Sequence, residues 1–269
     1  MTQETTMAVL PEEPAKLDTA MGTLEGRLES HHQKLLHAPA NNLHESVEAV
    51  TNWYKRLPRG QREIFDRTIV TAYLEKISQE RTYGIILAGE AVIQSAAPRL
   101  LEMLNSDMAQ LRQNDIGPLI VSLGALRHMP AYNTIEQFVD TEYSLVAVHS
   151  LARIDFENAV LHLNKALAGK YSEWRSLKQG GKTQRLALLF TDLMYDAGYG
   201  VGPKAVLAAL EENKGRLNID PLLAREAFAQ AFEYYCDSKG KRIIQPKRAH
   251  YYIKQIPRIL TGKQGAPLS

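Results

Sequence analysis

The residues best suited to chemistry in this sequence are cations, and they gather near its end. Between Lys239 and Lys263 stand Lys239, Lys241, Arg242, Lys247, Arg248, Lys254, Arg258 and Lys263, with no Asp or Glu among them. Ammonium and guanidinium groups at that density suit a polyanion, because each phosphate they neutralise releases condensed counterions. From Pro246 onward, spacings of four, three and four align Lys247, Tyr251, Lys254 and Arg258 on one face of a helix, while Ala249, Ile253, Ile256 and Leu260 fall on another. The expected arrangement is a helix packed through its aliphatic side that offers phosphate contacts from the other, with Tyr251 placed to stack on a base or sugar. Pro257 works against this, since it lacks an N–H and is expected to kink or shorten the helix, moving Arg258 off the line. The same cations also fit a solvated face, one that pairs with the chain's own acids, or one that meets acidic lipids or proteins.

A second candidate is Gly198 to Leu210, GYGVGPKAVLAAL, in which Gly200, Gly202 and Lys204 flank Pro203. Gly200-Val201-Gly202-Pro203-Lys204 resembles the hairpin of the helix-hairpin-helix DNA-binding motif. That resemblance implies glycines that let the backbone approach a phosphate and a following helix whose free N–H groups face it. Pro203 suits the first position of such a helix. Val206 departs from the small alanine of the motif, and Gly198 and Tyr199 replace the usual apolar approach to the hairpin. An ordinary glycine-rich turn between two helices is the competing expectation.

Lys182 and Arg185 extend the set of candidate phosphate contacts. Gly181, Lys182 and Thr183 reproduce the end of a phosphate-loop signature, but Ser176 stands where its first glycine belongs and the preceding YSEWR is no buried strand. That loop works by aiming backbone N–H groups from between a strand and a helix, so a flexible basic linker is expected instead.

Metal and nucleophile chemistry find less support. Four of the eight histidines cluster at His31, His32, His37 and His44, yet His44-Glu45 is followed by Glu48 where a zinc-protease helix needs its second imidazole. Glu29 and His32 have the i, i+3 spacing of a di-iron bundle without a second such pair. Cys236 is the only cysteine, which excludes an internal disulfide and a thiolate-paired zinc site, and it reads as a packed small side chain beside Tyr234 and Tyr235. No GxSxG or dinucleotide fingerprint occurs, so no catalytic constellation and no cofactor is assigned.

These side chains must be carried by helices. No segment alternates apolar and polar residues over a useful length, whereas apolar positions recur at three and four throughout. Leu17, Met21, Leu24 and Leu28 form a short heptad seam reaching Leu35, either a self-associating helix or the first helix of a bundle. Further helices are expected after Asn41 and Asn42 up to Pro58, through Ile64 to Ile77, and over 85–105, 116–127, 133–150, 154–168, 183–197, 203–213, 220–237 and 246–260. Pro98, Pro118 and Pro130 are expected to mark boundaries. The fold class is all-α, a multi-helix globular bundle of one or two helical subdomains, with 45% hydrophobic residues to build its core. No repeat of fixed period is evident.

Charge divides along the chain. Residues 1–160 hold 14 Lys and Arg against 21 Asp and Glu, a balance of −7, and residues 161–269 hold 18 against 9, a balance of +9. The expected organisation is a disordered tail at 1–14, an acidic helical part at 15–169, a boundary near 170–182, a basic helical part at 183–263 and a flexible tail at 264–269. No apolar run approaches the roughly eighteen residues of a membrane span, and the N-terminus lacks a secretory pattern, so a cytoplasmic location is expected. The leading functional expectation is a helical binding protein that contacts DNA or RNA phosphates through its C-terminal third. The alternatives are a protein-binding adaptor, self-associating through its N-terminal helices, and a small-molecule-binding bundle.

Overall fold

The computed structural model describes residues 26–27, 30, 43–76, 79–106, 113–195, 202–238 and 246–262. Its architecture is all-α: thirteen α-helices joined by short π and 3-10 turns, with no strand among the described residues. Nor is any described helix long and apolar enough to cross a membrane. The heptad seam of Leu17 to Leu35, His31, His32 and His37 of the histidine cluster, the side chain of His44 and both chain ends lie outside the described residues. The chain forms two compact units, Met1–Leu100 and Leu101–Ser269.

In the first unit, Pro58 ends α1 (Leu43–Arg56) and stands at the N-cap of α2 (Arg59–Thr68), because its fixed φ suits a helix start while its ring blocks continuation of the preceding turn. Phe65 on α2 is fully buried and draws Trp53 and Tyr54 of α1 onto its ring, at centroid separations of 5.9 and 4.9 Å. Each such fully buried side chain contributes roughly 1.5–3 kcal/mol. The helical path widens into a π turn at Ile69–Tyr73, where Leu74 N–H bonds back to Ile69. Arg99 then clamps Glu75 with two hydrogen bonds of 2.9 and 3.2 Å.

Within the helical stretch expected over 85–105 the chain breaks ahead of Pro98, which stands in the first turn of a new helix. α3 (Gln79–Glu90) ends with Val92 N–H bonded to Gly89 and Ile93 N–H bonded to Ala88, and Val92 takes a left-handed φ of 56°. A short 3-10 turn at Gln94–Ala96 leads into α4 (Ala97–Ser106). This is the two-bond C-terminal cap that normally uses glycine, here built on a β-branched residue, so sequence offered no glycine to mark it.

The second unit repeats the device. α5 (Gln113–Ala125) ends with Arg127 at φ 50°, its N–H on Gly124 and the His128 N–H on Leu123. α8 (Phe156–Leu167) ends likewise at Gly169, φ 70°. Pro118, expected as a boundary, lies inside α5. The helix expected over 133–150 is two, α6 (Tyr132–Glu136) and α7 (Ser144–Ile154), separated by turns; Tyr143, whose carbonyl accepts the Ala147 N–H of α7, donates its hydroxyl to Gln113 O at 3.1 Å.

The supposed linker at 170–182 falls inside this unit. Trp174 on α9 (Ser172–Ser176) is buried with its indole N–H directed at Ser144 O, and the Glu173 carboxylate accepts from Leu145 N–H at the start of α7. The segment therefore packs as structure, since burying an indole there ties it to α7. Gly180 and Gly181 stand in the first turn of α10 (Gln179–Tyr195), which packs along α12 (Pro221–Ser238), and α7 also rests on α10. Asp220 caps α12 by accepting from Leu222 and Leu223 N–H. α11 (Pro203–Glu212) and α12 both pack against the last helix, α13 (Pro246–Thr261).

Candidate functional site

α13 supplies the face the cation spacing predicts. The helix runs from Pro246 to Thr261 with Pro257 inside it, so the proline does not shorten it and Arg258 belongs to the same helix as Tyr251 and Lys254. Pro257 still accepts through its own carbonyl, from the Thr261 hydroxyl at 2.7 Å. At 3.6 residues per turn, Tyr251, Lys254 and Arg258 fall within about 60° of arc and Ile256 lies roughly opposite. The burial follows that geometry: Ile256 is 0% exposed, Tyr251 is 50% exposed, Lys254 is exposed and Arg258 is partly so.

Among the described residues, neither Lys254 nor Arg258 has a carboxylate partner. α12 beneath them carries exposed Glu226, Glu233 and Asp237, yet no ion pair joins these acids to Lys254 or Arg258. Lys247 and Arg248 occupy the first turn of α13, their side chains outside the described part. Lys241, Arg242 and Gly200 also lie outside it.

The remaining candidates separate. Lys204 is exposed in the first turn of α11 and Arg185 is partly exposed on α10, each without an ion-pair partner among the described residues. Lys182 has different work: its ammonium donates to Leu167 O at 2.9 Å, at the C-terminal end of α8. A cation there satisfies an orphan carbonyl and opposes the negative end of the helix dipole, so Lys182 holds α10 on α8. Neither a phosphate loop nor a flexible linker forms, because the segment is already helical from Gln179.

Gly202 is also structural. It is buried with φ 79°, its N–H donates to Met194 O at 2.8 Å, and a Cβ placed on it would meet the Tyr235 hydroxyl at 3.4 Å. A helix-hairpin-helix phosphate contact needs that N–H free, and here it is committed to the last turn of α10. The proline-led helix start of the motif is present, with Pro203 at its first position.

Two polar networks escaped the sequence reading. Asp192 Oδ2 on α10 lies 3.2 Å from His149 Nε2 and 3.3 Å from Arg153 Nε, both on α7. Burial works to raise the Asp192 carboxyl, but the His149 hydrogen bond and the charges of Arg153, His149 and Arg127 outweigh it and hold it below the ordinary carboxylate value. Arg127 is pulled down chiefly by burial and then by the like charge of Arg153, with Asp192 acting the other way. A carboxylate already shared between the Arg153 guanidinium and the His149 imidazole is a lock between helices rather than an open anion site. The i, i+4 spacing of His149 and Arg153 was legible, but their partner lies on another helix.

The second network centres on His162 of α8, whose Nδ1 is 2.9 Å from the Tyr171 hydroxyl and whose Nε2 is 2.9 Å from Glu136 Oε1. Burial first, then the carboxylates of Glu136 and Asp155 and the neighbouring Tyr171, push the Tyr132 phenol up to about 12. Both imidazole nitrogens are engaged, so His162 ties α6 to the turn after α8 and presents no free nitrogen to a substrate or metal. Among the described residues no group of three His, Cys, Asp or Glu side chains is disposed to hold a metal ion.

The fold and the helix that ends the described residues define the class: an all-α multi-helix protein with an amphipathic, basic α13. No protein family matches the chain, and neither do the curated proteins or the solved structures with which it was compared.

Proposed function

We propose that this protein is a cytoplasmic nucleic-acid-binding protein that contacts phosphates through the exposed face of α13. The observation that carries the reading is the pairing on one helix of a fully buried Ile256 with Tyr251, Lys254 and Arg258 on the opposite side. The aliphatic face anchors the helix to α11 and α12, which leaves two cations free of carboxylate partners among the described residues and turned toward solvent. Cations held this way lose little on meeting a phosphate, because they surrender no existing ion pair. Arg185 and Lys204 add positive charge from neighbouring elements.

A second reading is a protein-binding adaptor, favoured by Leu222 and Tyr234, which stand 52% and 63% exposed on α12. Exposed apolar groups of that size are what a protein partner covers.

Fluorescence anisotropy with labelled DNA and RNA across a salt series separates the two. The phosphate reading expects affinity that falls linearly with salt on logarithmic axes, with Lys254→Glu and Arg258→Glu each lowering the slope by roughly one while leaving the fold intact. Absence of binding at low salt, or variants that bind as tightly as the parent, would overturn it.

A further inference from the structure

Tyr251 is the terminus of an aromatic chain that begins in the core of the second unit. Phe190 of α10 meets Phe228 of α12 at a centroid distance of 6.5 Å, and Phe228 stacks on Phe232 at 6.2 Å with planes 14° apart. Phe232 touches Tyr252 of α13 at 6.1 Å, and Tyr252 holds the Tyr251 ring edge-to-face at 5.5 Å and 74°. Phe190 and Phe228 are fully buried, whereas Tyr251 is half exposed. The exposed ring is thus positioned by packing, and a positioned ring loses little entropy when a second aromatic surface is laid on it.

From this geometry we propose that the α13 face selects single-stranded over double-stranded polynucleotide, with Tyr251 as the platform on which one unpaired base stacks while Lys254 and Arg258 take phosphates beside it. The proposal rests on the phosphate-contact reading above. Along the helix, Lys254 lies about 4.5 Å and Arg258 about 10.5 Å beyond Tyr251, so both long side chains reach the backbone of a strand whose base covers the ring. An unpaired base offers its π face to the tyrosine whatever its identity, which makes such contacts tolerant of sequence. A duplex keeps its bases stacked on one another and meets only the cations, leaving the tyrosine unused.

The test is anisotropy with a labelled single strand and the matching duplex, as DNA and as RNA, at one low salt concentration, using the full chain and its Tyr251→Ala, Tyr251→Phe and Lys254→Glu forms, each checked by thermal melting. The single strand is expected to bind more tightly. Tyr251→Ala is expected to lose roughly 5- to 150-fold on the single strand and almost nothing on the duplex, while Tyr251→Phe keeps the preference because its ring retains a π face. Lys254→Glu is expected to weaken both forms. Equal affinity for strand and duplex, with Tyr251→Ala no weaker than the parent, overturns the single-strand inference and leaves phosphate contact standing. No binding of either form overturns both.

Discussion

Gly124 of α5 crosses Ser150 of α7 so closely that a Cβ on the glycine would lie 2.6 Å from the serine Cβ and 2.8 Å from its Cα. Backbone cannot yield as a flexible side-chain tip does, so the two helices must separate to admit a methyl group. Gly124→Ala is expected to destabilise the protein by about 1–3 kcal/mol, despite alanine's better helix propensity. Gly60→Ala in the first turn of α2 is the contrast: nothing lies within 4 Å of its added Cβ, and it should stabilise by about 0.5–1 kcal/mol. Urea melts of the two variants should move in opposite directions.

Val92 closes α3 in a left-handed conformation that its branched Cβ opposes, and it stands 51% exposed, so little packing rewards the strain. Val92→Gly should therefore stabilise the chain, by about 1 kcal/mol. The melting temperature would rise; a fall would mean that the valine side chain holds the turn through contacts stronger than its strain.

The lock at Asp192 carries a pH signature. Its folded carboxyl lies below the ordinary value of 3.8, so the stability it contributes is present above that value and is lost as pH falls through the lower folded one. Asp192→Asn leaves His149, Arg153 and Arg127 without their shared anion and should cost about 3 kcal/mol at neutral pH. Urea melts of parent and variant should converge under acidic conditions. A gap that stays constant with pH would show that the carboxylate's charge is not what joins α7 to α10.

Lys182 was grouped with phosphate ligands by its place beside Gly181 and Thr183, but its ammonium is committed to Leu167 O. Lys182→Met keeps the aliphatic stem and should lower stability by about 0.5–1 kcal/mol without changing nucleic-acid affinity. Melting and anisotropy on the same preparation check both halves.

The composition and the three-four spacing of apolar residues determined by themselves that this chain is all-α, and placed α11, α12 and α13 within a residue or two of where they lie. Those elements were legible because proline or Asp-Pro starts them and a single apolar stripe runs their length. The boundaries at Pro98 and Pro130 were legible as well, but the turns that close α3 and α5 were not, since Val92 and Arg127 are residues that seldom adopt left-handed φ on their own and do so here only as part of the packed turn. Alternation along α13 likewise told which of its residues share a face. Tertiary structure alone decided which cations are free, because an ion pair or a capped carbonyl joins residues far apart in the chain: it gave Lys182 to Leu167, Arg153 to Asp192 and the Gly202 N–H to Met194, and left Lys254 and Arg258 facing solvent. Periodicity reports the face a residue occupies on its own helix; what another helix brings to that face depends on the packing of the whole unit.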